Sequence, residues 1–256
     1  MSNRLIFCTK STSIEVSKEI IDLMWDEKFE EVKALLPADR HLLYLGTELP
    51  FLSFAVSIGA CVIVEYLLDG GADIELRETE HGVNGYTPLQ CAAEKGRHEC
   101  CELLLNRGAN IKASSRNGEA LMIASAYGRE SVCKLLVERG ADVNACDDAG
   151  WTALHWAAEF DNVSIAKLLL TAGARLEKNK KGDSPVDRSK RTVKPLLIHH
   201  VVTVNLSGVI ARGLSDYTPF TPFLIDGIYD PRLFLIVADF AFELKKDAEM
   251  RDIISR

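Results

Sequence analysis

The chain has 256 residues, of which 47% are hydrophobic and 26% are charged, so it can bury a substantial core and is neither disordered nor collagen-like. The net charge of −7 at pH 7 gives no overall attraction to phosphate backbones or anionic lipids. We therefore expect neither nucleic acid nor a membrane among its partners.

The cysteines and the N-terminal residues favour a cytoplasmic protein. The seven cysteines are odd in number and include no C-x-x-C pair, which predicts reduced thiols rather than a disulfide framework. Residues 1–13 lack the apolar core and the cleavage site of a secretory signal. No apolar run approaches the roughly 18 residues that a membrane-spanning helix requires.

The first predicted element is a degenerate helix pair. Residues 20–24 read as one helix and residues 29–36 as a second, with Val32, Leu35 and Leu36 on its inward face. The other positions are rich in acidic residues, which suits a terminal unit whose outer face meets water. Residues 1–14 are interpreted as an N-terminal extension.

A glycine-punctuated period then organises most of the chain. Four Gly-Ala pairs recur at spacings of 37, 32 and 33 residues, and their glycines are Gly71, Gly108, Gly140 and Gly173. Each pair follows a run of large apolar residues, such as 103–105. Upstream lie the related segments TPLQCAA at 87–93 and TALHWAA at 152–158, with LMIA at 121–124 in the same position of the middle unit. A spacing of this length is typical of stacked helical repeats.

These residues resemble the ankyrin repeat, in which T-P-L-H-x-A opens a first helix, a glycine precedes a second helix and another glycine closes it. The resemblance implies an all-α fold, an ankyrin-repeat solenoid of stacked helix-turn-helix units with projecting turns over residues 15–197. Four full units and a closing half-repeat at 182–197 are expected. The predicted left-handed residues between the helices are Gly59, Gly96, Gly128 and Asp161.

The pattern departs from the repeat in two places. The connection 76–85 is lengthened, and the middle unit, which runs GEAL at 118–121, is one residue short and lacks the threonine. Without that hydroxyl the helix start loses a local hydrogen bond, so we expect a weaker turn there within an intact stack. The repeat register assigns Glu119 to the turn position that Tyr86 and Trp151 occupy in other units.

The resemblance also implies a protein partner, because ankyrin arrays are interaction scaffolds. Their concave surface is built from the projecting turns and the outward side of each first helix. Aromatic residues beside charged ones, the composition of interface hot spots, occupy positions that the stack does not need for its own packing. The predicted partner-binding residues are Tyr86, Glu94, Arg116, Tyr127, Asp148, Trp151, Glu159 and Phe160. The alternative interpretation is that Trp151 and Phe160 only pack on neighbouring turns.

Charge is separated along the array. Residues 15–80 carry 15 acidic and 5 basic side chains, net −10, whereas residues 178–197 carry 2 acidic and 7 basic, net +5. A partner of matching polarity would be steered into register. Charged side chains that only face solvent at the two ends of the array would explain the acidic and the basic run equally well. The basic segment 178–194 also has the composition of a nuclear import signal, which leaves a nuclear location open.

The sequence predicts no catalytic residue, metal site or cofactor. Cys100 and Cys101 fall in positions of buried apolar side chains, where cysteine packs as a small hydrophobe, and with His98 they lack the second ligand pair of a structural zinc site. The resemblance implies that His155 hydrogen-bonds between adjacent turns rather than acting as a base. Cys146, in a turn, is predicted to be the most reactive thiol. Phosphate-loop, dinucleotide and nucleophile-elbow motifs are absent.

The tail, residues 198–256, lacks the period. Asp230-Pro231 predicts the start of a long helix that ends near Ser255, and the apolar first half of that helix must be buried. The tail is interpreted as a cap on the last repeat, as a segment that docks to a partner, or as the remnant of a larger domain. The favoured function is a monomeric, non-catalytic scaffold. The alternative is a substrate-recognition adaptor, for example for a ubiquitin ligase, whose tail recruits a second protein.

Overall fold

A computed structural model describes residues 6–7, 13–15, 18–36, 43–45, 49–77, 85–190 and 192–200. The chain divides into two compact units, residues 1–197 and residues 198–256. The helix predicted after Asp230 falls outside the described residues.

Helix pairs follow one another along the first unit. The helices are α1 (Lys18–Trp25), α2 (Phe29–Leu35), α3 (Phe51–Ile58), α4 (Cys61–Asp69), α5 (Pro88–Lys95), α6 (His98–Asn106), α7 (Ala120–Ala126), α8 (Glu130–Glu138), α9 (Ala153–Glu159), α10 (Val163–Thr171) and α11 (Pro185–Arg188). The pair α1 and α2 is the predicted degenerate unit, and α3 to α10 are the four predicted repeats. Helical residues 193–197 follow α11, so the closing unit is more complete than the predicted half-repeat. In the degenerate unit Val32 and Leu36 are buried as predicted, whereas Leu35 is 47% exposed, so its predicted inward position is wrong.

The pairs stack in chain order around one continuous core. The first helices α3, α5, α7, α9 and α11 contact each other in turn, and so do the second helices α2, α4, α6, α8 and α10. A single cluster of buried side chains extends from Ile20 to Leu197. Cys100 and Cys101 lie inside it, as predicted. The predicted solenoid of stacked helix pairs is therefore confirmed.

Four short strands lie near the N-terminal end of the array, two before α1 and two between α2 and α3. They are β1 (Ile6–Phe7), β2 (Ser13–Glu15), β3 (Leu43–Leu45) and β4 (Leu49–Pro50), in that order across one sheet. β1 pairs with β2 and β3 with β4 in antiparallel fashion, whereas β2 and β3 are parallel. Strands of two or three residues are too short to show an alternating pattern, so the sequence does not predict them.

Left-handed residues join the two helices of each repeat. Gly96 has φ of 73° and Asp161 has φ of 60°, both as predicted. A Cβ atom on Gly96 would stand 2.8 Å from the Arg129 Cδ atom, so glycine meets both a conformational and a steric requirement there. The Asp161 Oδ1 atom accepts the backbone N–H of Val193 at 2.8 Å, which ties the closing unit to α10.

The start of α7 differs from the starts of α5 and α9. Thr87 and Gln90 form a reciprocal capping box, whereas Glu119, the residue before α7, makes no side-chain cap. Glu119 therefore occupies the threonine position, and its assignment to the turn position is wrong by one residue. The turn before α7 is the part of this unit that is one residue short. The N–H of Ser115 donates to the carbonyl of Gly118, only three residues further on, and this bond closes the turn.

Candidate protein-binding surface

Three aromatic side chains form a stacked row on the fourth repeat. The ring centroids of Trp151 and Trp156 are 4.7 Å apart, and those of Trp156 and Phe160 are 6.1 Å apart with an interplanar angle of 12°. Trp151 and Trp156 are half-buried, whereas Phe160 is 51% exposed. We call these three residues the aromatic row.

Local structure fixes the row in place. Trp151 ends the turn before α9, where its backbone N–H donates to the Asp147 carboxylate at 2.8 Å. Trp156 and Phe160 are four residues apart along the helix, so their side chains share one face. The turn and the helix thus present one apolar strip at the edge of the stack.

Two basic side chains from the closing unit border this strip. The Arg188 guanidinium lies 5.1 Å from the Trp151 ring centroid and binds the Glu159 carboxylate at 2.8 Å. The Lys190 ammonium lies 5.8 Å from the Phe160 ring centroid. Cations at these distances are attracted to aromatic faces. The tertiary structure therefore brings part of the basic segment 178–194 to the aromatic row.

A second group of predicted residues lies one and two repeats earlier. Tyr127 is 50% exposed. The Tyr86 hydroxyl accepts a hydrogen bond from the Asn117 amide. Burial raises the pKa of both phenols, and Glu94 adds to the rise at Tyr127, so both hydroxyls stay neutral at physiological pH.

The remaining predicted residues are exposed charges on the turns. Arg116 lies in the turn before α7. Asp148 lies in the turn before α9, where its backbone carbonyl accepts a hydrogen bond from the Lys180 ammonium at 2.7 Å. The eight predicted residues thus divide into one group around the aromatic row, one group around Tyr86 and Tyr127, and two separate charged residues on turns. Their role in binding stays a prediction.

Trp156, Arg188 and Lys190 were missed by the sequence analysis. Trp156 stands where other repeats have Cys91 and Ile123, and its greater size at that position was the available signal. Its indole nitrogen is buried and has no hydrogen-bond partner among the residues that the structure describes. The two cations gave no signal, because only the fold brings them beside the row.

His155 has a structural role, as the resemblance implied. Its Nδ1 atom accepts the backbone N–H of Thr152 at 3.1 Å, which leaves Nε2 to donate to the carbonyl of Asp183 at 3.2 Å. Burial lowers the pKa of His155, so the neutral ring persists. In α5, Gln90 makes the equivalent link by donating to the carbonyls of Ala113 and Gly118, each at 2.9 Å.

Metal-binding and membrane-spanning features were also sought in the described ranges. No three His, Cys, Asp or Glu side chains there are arranged to hold a metal ion. None of the described helices has the length and apolar character needed to cross a bilayer.

Three of the known proteins that this chain resembles differ widely in the share of their length that it covers. The chain is 34% identical over 143 residues to the transient receptor potential cation channel subfamily A member 1 homolog of Caenorhabditis elegans, covering 54% of this chain and 11% of that protein. It is 33% identical over 123 residues to human neurogenic locus notch homolog protein 1, covering 47% and 5%. It is 30% identical over 167 residues to FPV031 of fowlpox virus (strain NVSL), described as an ankyrin repeat protein, covering 60% and 48%.

The chain spans less than half the length of each of these relatives, so the similarity concerns the repeat array. The family model described as "Ankyrin repeats (3 copies)" matches residues 23–115, 52–148 and 114–182. These overlapping matches extend through the helix pairs from α2 to α10. The periodic glycines, the capping boxes and the stacked pairs have one common explanation: the chain belongs to the ankyrin repeat family.

Proposed function

We propose that this protein is a non-catalytic interaction module that binds a protein segment through the aromatic row. Ankyrin repeats are generally protein-interaction modules, and their exchangeable surface residues decide the partner. The aromatic row is the observation that carries this proposal. It places three large rings side by side at the edge of the fourth repeat, with half of Phe160 exposed to solvent.

The charges beside the row indicate the chemistry of the partner. Glu159 neutralises much of Arg188, whereas Lys190 forms no described ion pair and lies against the exposed Phe160 ring. An aromatic or aliphatic side chain flanked by acidic residues would pack on Phe160 and pair with Lys190. A segment of that kind is the partner that this surface fits.

The test compares matched aromatic substitutions in the full chain. Phe160→Ala should reduce capture of specific partners at least about tenfold, measured by quantitative affinity-purification mass spectrometry and then by titration with the purified partner. Trp25→Ala is the control, because Trp25 is an equally accessible aromatic residue, 64% exposed, on α1. Both variants should keep the far-UV circular dichroism and the unfolding temperature of the parent. Full capture by Phe160→Ala would assign binding to another surface.

The adaptor hypothesis is tested in the same experiment. A chain ending at residue 200 that loses one set of partners and keeps those sensitive to Phe160→Ala supports a tail that recruits a second protein. If this shortened chain captures the same partners as the full chain, the adaptor hypothesis is wrong. If the shortened array is unfolded, the result supports a tail that caps the last repeat.

A further inference from the structure

Two cysteines from adjacent repeats meet in the second-helix layer. Cys61 is the first residue of α4 and Cys100 is the third residue of α6. Their Sγ atoms are 2.8 Å apart and share a hydrogen bond, although 39 positions separate them in the sequence. Both side chains already aim at the same point, whereas a disulfide bond requires about 2.05 Å between the sulfurs. Only a small approach separates the two thiols from bonding distance.

The two thiols differ in their access to solvent. Cys61 is partly exposed, whereas Cys100 is 1% exposed. Burial, with a further contribution from Cys61, strongly raises the pKa of Cys100, so this thiol stays protonated and shielded. An oxidant from solvent therefore reaches Cys61 first, and Cys100 is placed to react with the product.

Cys100 and Cys61 occupy different kinds of position in their repeats. Cys100 occupies the position of Ile63, Val132 and Ile165 in the other repeats, all of them buried core residues. Cys61 is the first residue of its second helix, a position that holds the exposed residues His98 and Glu130 and the partly buried Val163 in the other repeats. A partly exposed thiol in contact with a buried one is the arrangement of a reactive cysteine with a resolving cysteine.

We propose that Cys61 and Cys100 form an intrachain disulfide when the protein meets a hydroperoxide. The Cys61 thiolate attacks the distal peroxide oxygen, the O–O bond breaks, and protonation of the leaving oxygen gives water (or an alcohol from an organic peroxide) and a Cys61 sulfenic acid. The Cys100 sulfur then attacks the Cys61 sulfur. The S–O bond breaks, the Cys100 proton leaves with the hydroxyl group as water, and the S–S bond forms. Two thiols lose two electrons in total, and these electrons reduce the peroxide.

The bond would join the first full repeat to the second. These repeats are the pair connected by the lengthened segment 76–85. Arg107, directly after α6, already forms salt bridges to Glu65 and Asp69 of α4. Closing a loop of this length restricts the unfolded chain, so the unfolding temperature should rise by about 5–10 °C on oxidation. The modification makes the junction between these repeats sensitive to peroxide.

Mass spectrometry of the full chain tests the pairing. Reduced protein is treated with hydrogen peroxide, blocked with a maleimide and digested with trypsin without reductant. A peptide of residues 41–77 linked to residues 98–107 is expected, with fragmentation placing the bond at Cys100 rather than Cys101. Titratable thiols after denaturation should fall from the seven of the sequence to five, because two are consumed.

Matched variants separate this proposal from its competitors. A Cys146→Ser background removes a thiol that the described structure leaves exposed and able to link two chains. In that background, Cys61→Ser and Cys100→Ser should each abolish the linked peptide and the rise in unfolding temperature, whereas Cys101→Ala should keep both. A bond between Cys61 and Cys101, or oxidation of Cys61 to sulfinic acid without any linked peptide, would overturn the proposal.

Discussion

The start of α7 offers a stabilising substitution whose size follows from the structure. Thr87, at the start of α5, accepts the backbone N–H of Gln90 in a capping box, whereas Glu119, at the same position before α7, forms no cap. Thr152 holds this position before α9. The backbone at Glu119, with φ −81° and ψ 166°, already matches that at Thr152, with φ −98° and ψ 170°. Glu119→Thr therefore adds a hydroxyl acceptor without moving the chain. The gain expected from an N-cap is about 1 kcal/mol, which raises the unfolding temperature by about 2–4 °C in an array of this length.

The glutamate that this change removes is itself unfavourable. Its Oε2 atom is buried without a hydrogen-bond partner among the described residues. Burial, with a smaller contribution from Asp142, raises the pKa of Glu119. A carboxyl whose pKa is raised in the folded state destabilises that state once it is ionised. The advantage of Glu119→Thr should therefore grow as the pH rises from the unfolded pKa of about 4.3 through the raised folded pKa, and stay level above it.

Glu119→Val separates the two contributions, because valine has the shape of threonine and no hydroxyl. Urea unfolding of the three proteins at several pH values measures both effects. Valine should show the pH-dependent gain alone, and threonine should exceed valine by about 1 kcal/mol at every pH. Equal stability of the two variants would refute the capping argument. A threonine variant no more stable than the parent at pH 7 would refute both contributions.

Two further predictions concern links between and within repeats. His155→Leu removes the hydrogen bonds to Thr152 and Asp183 and should lower the free energy of unfolding in urea by about 2–3 kcal/mol. The lowered pKa of His155 predicts that the parent loses stability below about pH 6.5, and the variant should lose less there. A cost below about 0.5 kcal/mol would contradict the bridging role. Gly96→Ala should lower stability by about 1–2 kcal/mol because of the φ of 73°, and by more because the added Cβ would crowd Arg129. Gly140→Ala is the control: its φ is 85° and nothing lies within 4 Å of the added Cβ, so only the conformational cost should appear. Equal losses in differential scanning calorimetry would show that crowding at Gly96 is absent.

Several features could be predicted because they depend on neighbouring residues. Glycines and an aspartate at regular spacing specify the left-handed positions, and threonine before Pro88 or Ala153 specifies a helix start. His155 could be assigned a structural role from its place in the motif. Glu119 was misplaced by one residue, since a shortened turn shifts the register without changing the residues around it. The four strands were missed, because pairs as short as Ile6–Phe7 carry no pattern.

The candidate surface was predicted only in part. Phe160 and Tyr127 stand out in the sequence because the stack does not need an aromatic residue there, and both are about half exposed in the structure. Trp151 was predicted either to bind a partner or to pack on neighbouring turns, and it is half-buried beside Trp156 and Arg188. Trp156 is larger than Cys91 and Ile123, the residues at the same position of other repeats, and this difference is visible only when the repeats are aligned with one another.

The sequence by itself determined the family and the order of the four full helix pairs, because a period of about 33 residues records packing positions that recur from layer to layer. The tertiary structure alone decided which side chains meet across layers. Arg188 reaches Glu159 over 29 positions, and Cys61 reaches Cys100 over 39. Such contacts depend on how far one layer is rotated and shifted on the next and on which rotamers fit between them, and no local pattern encodes these quantities.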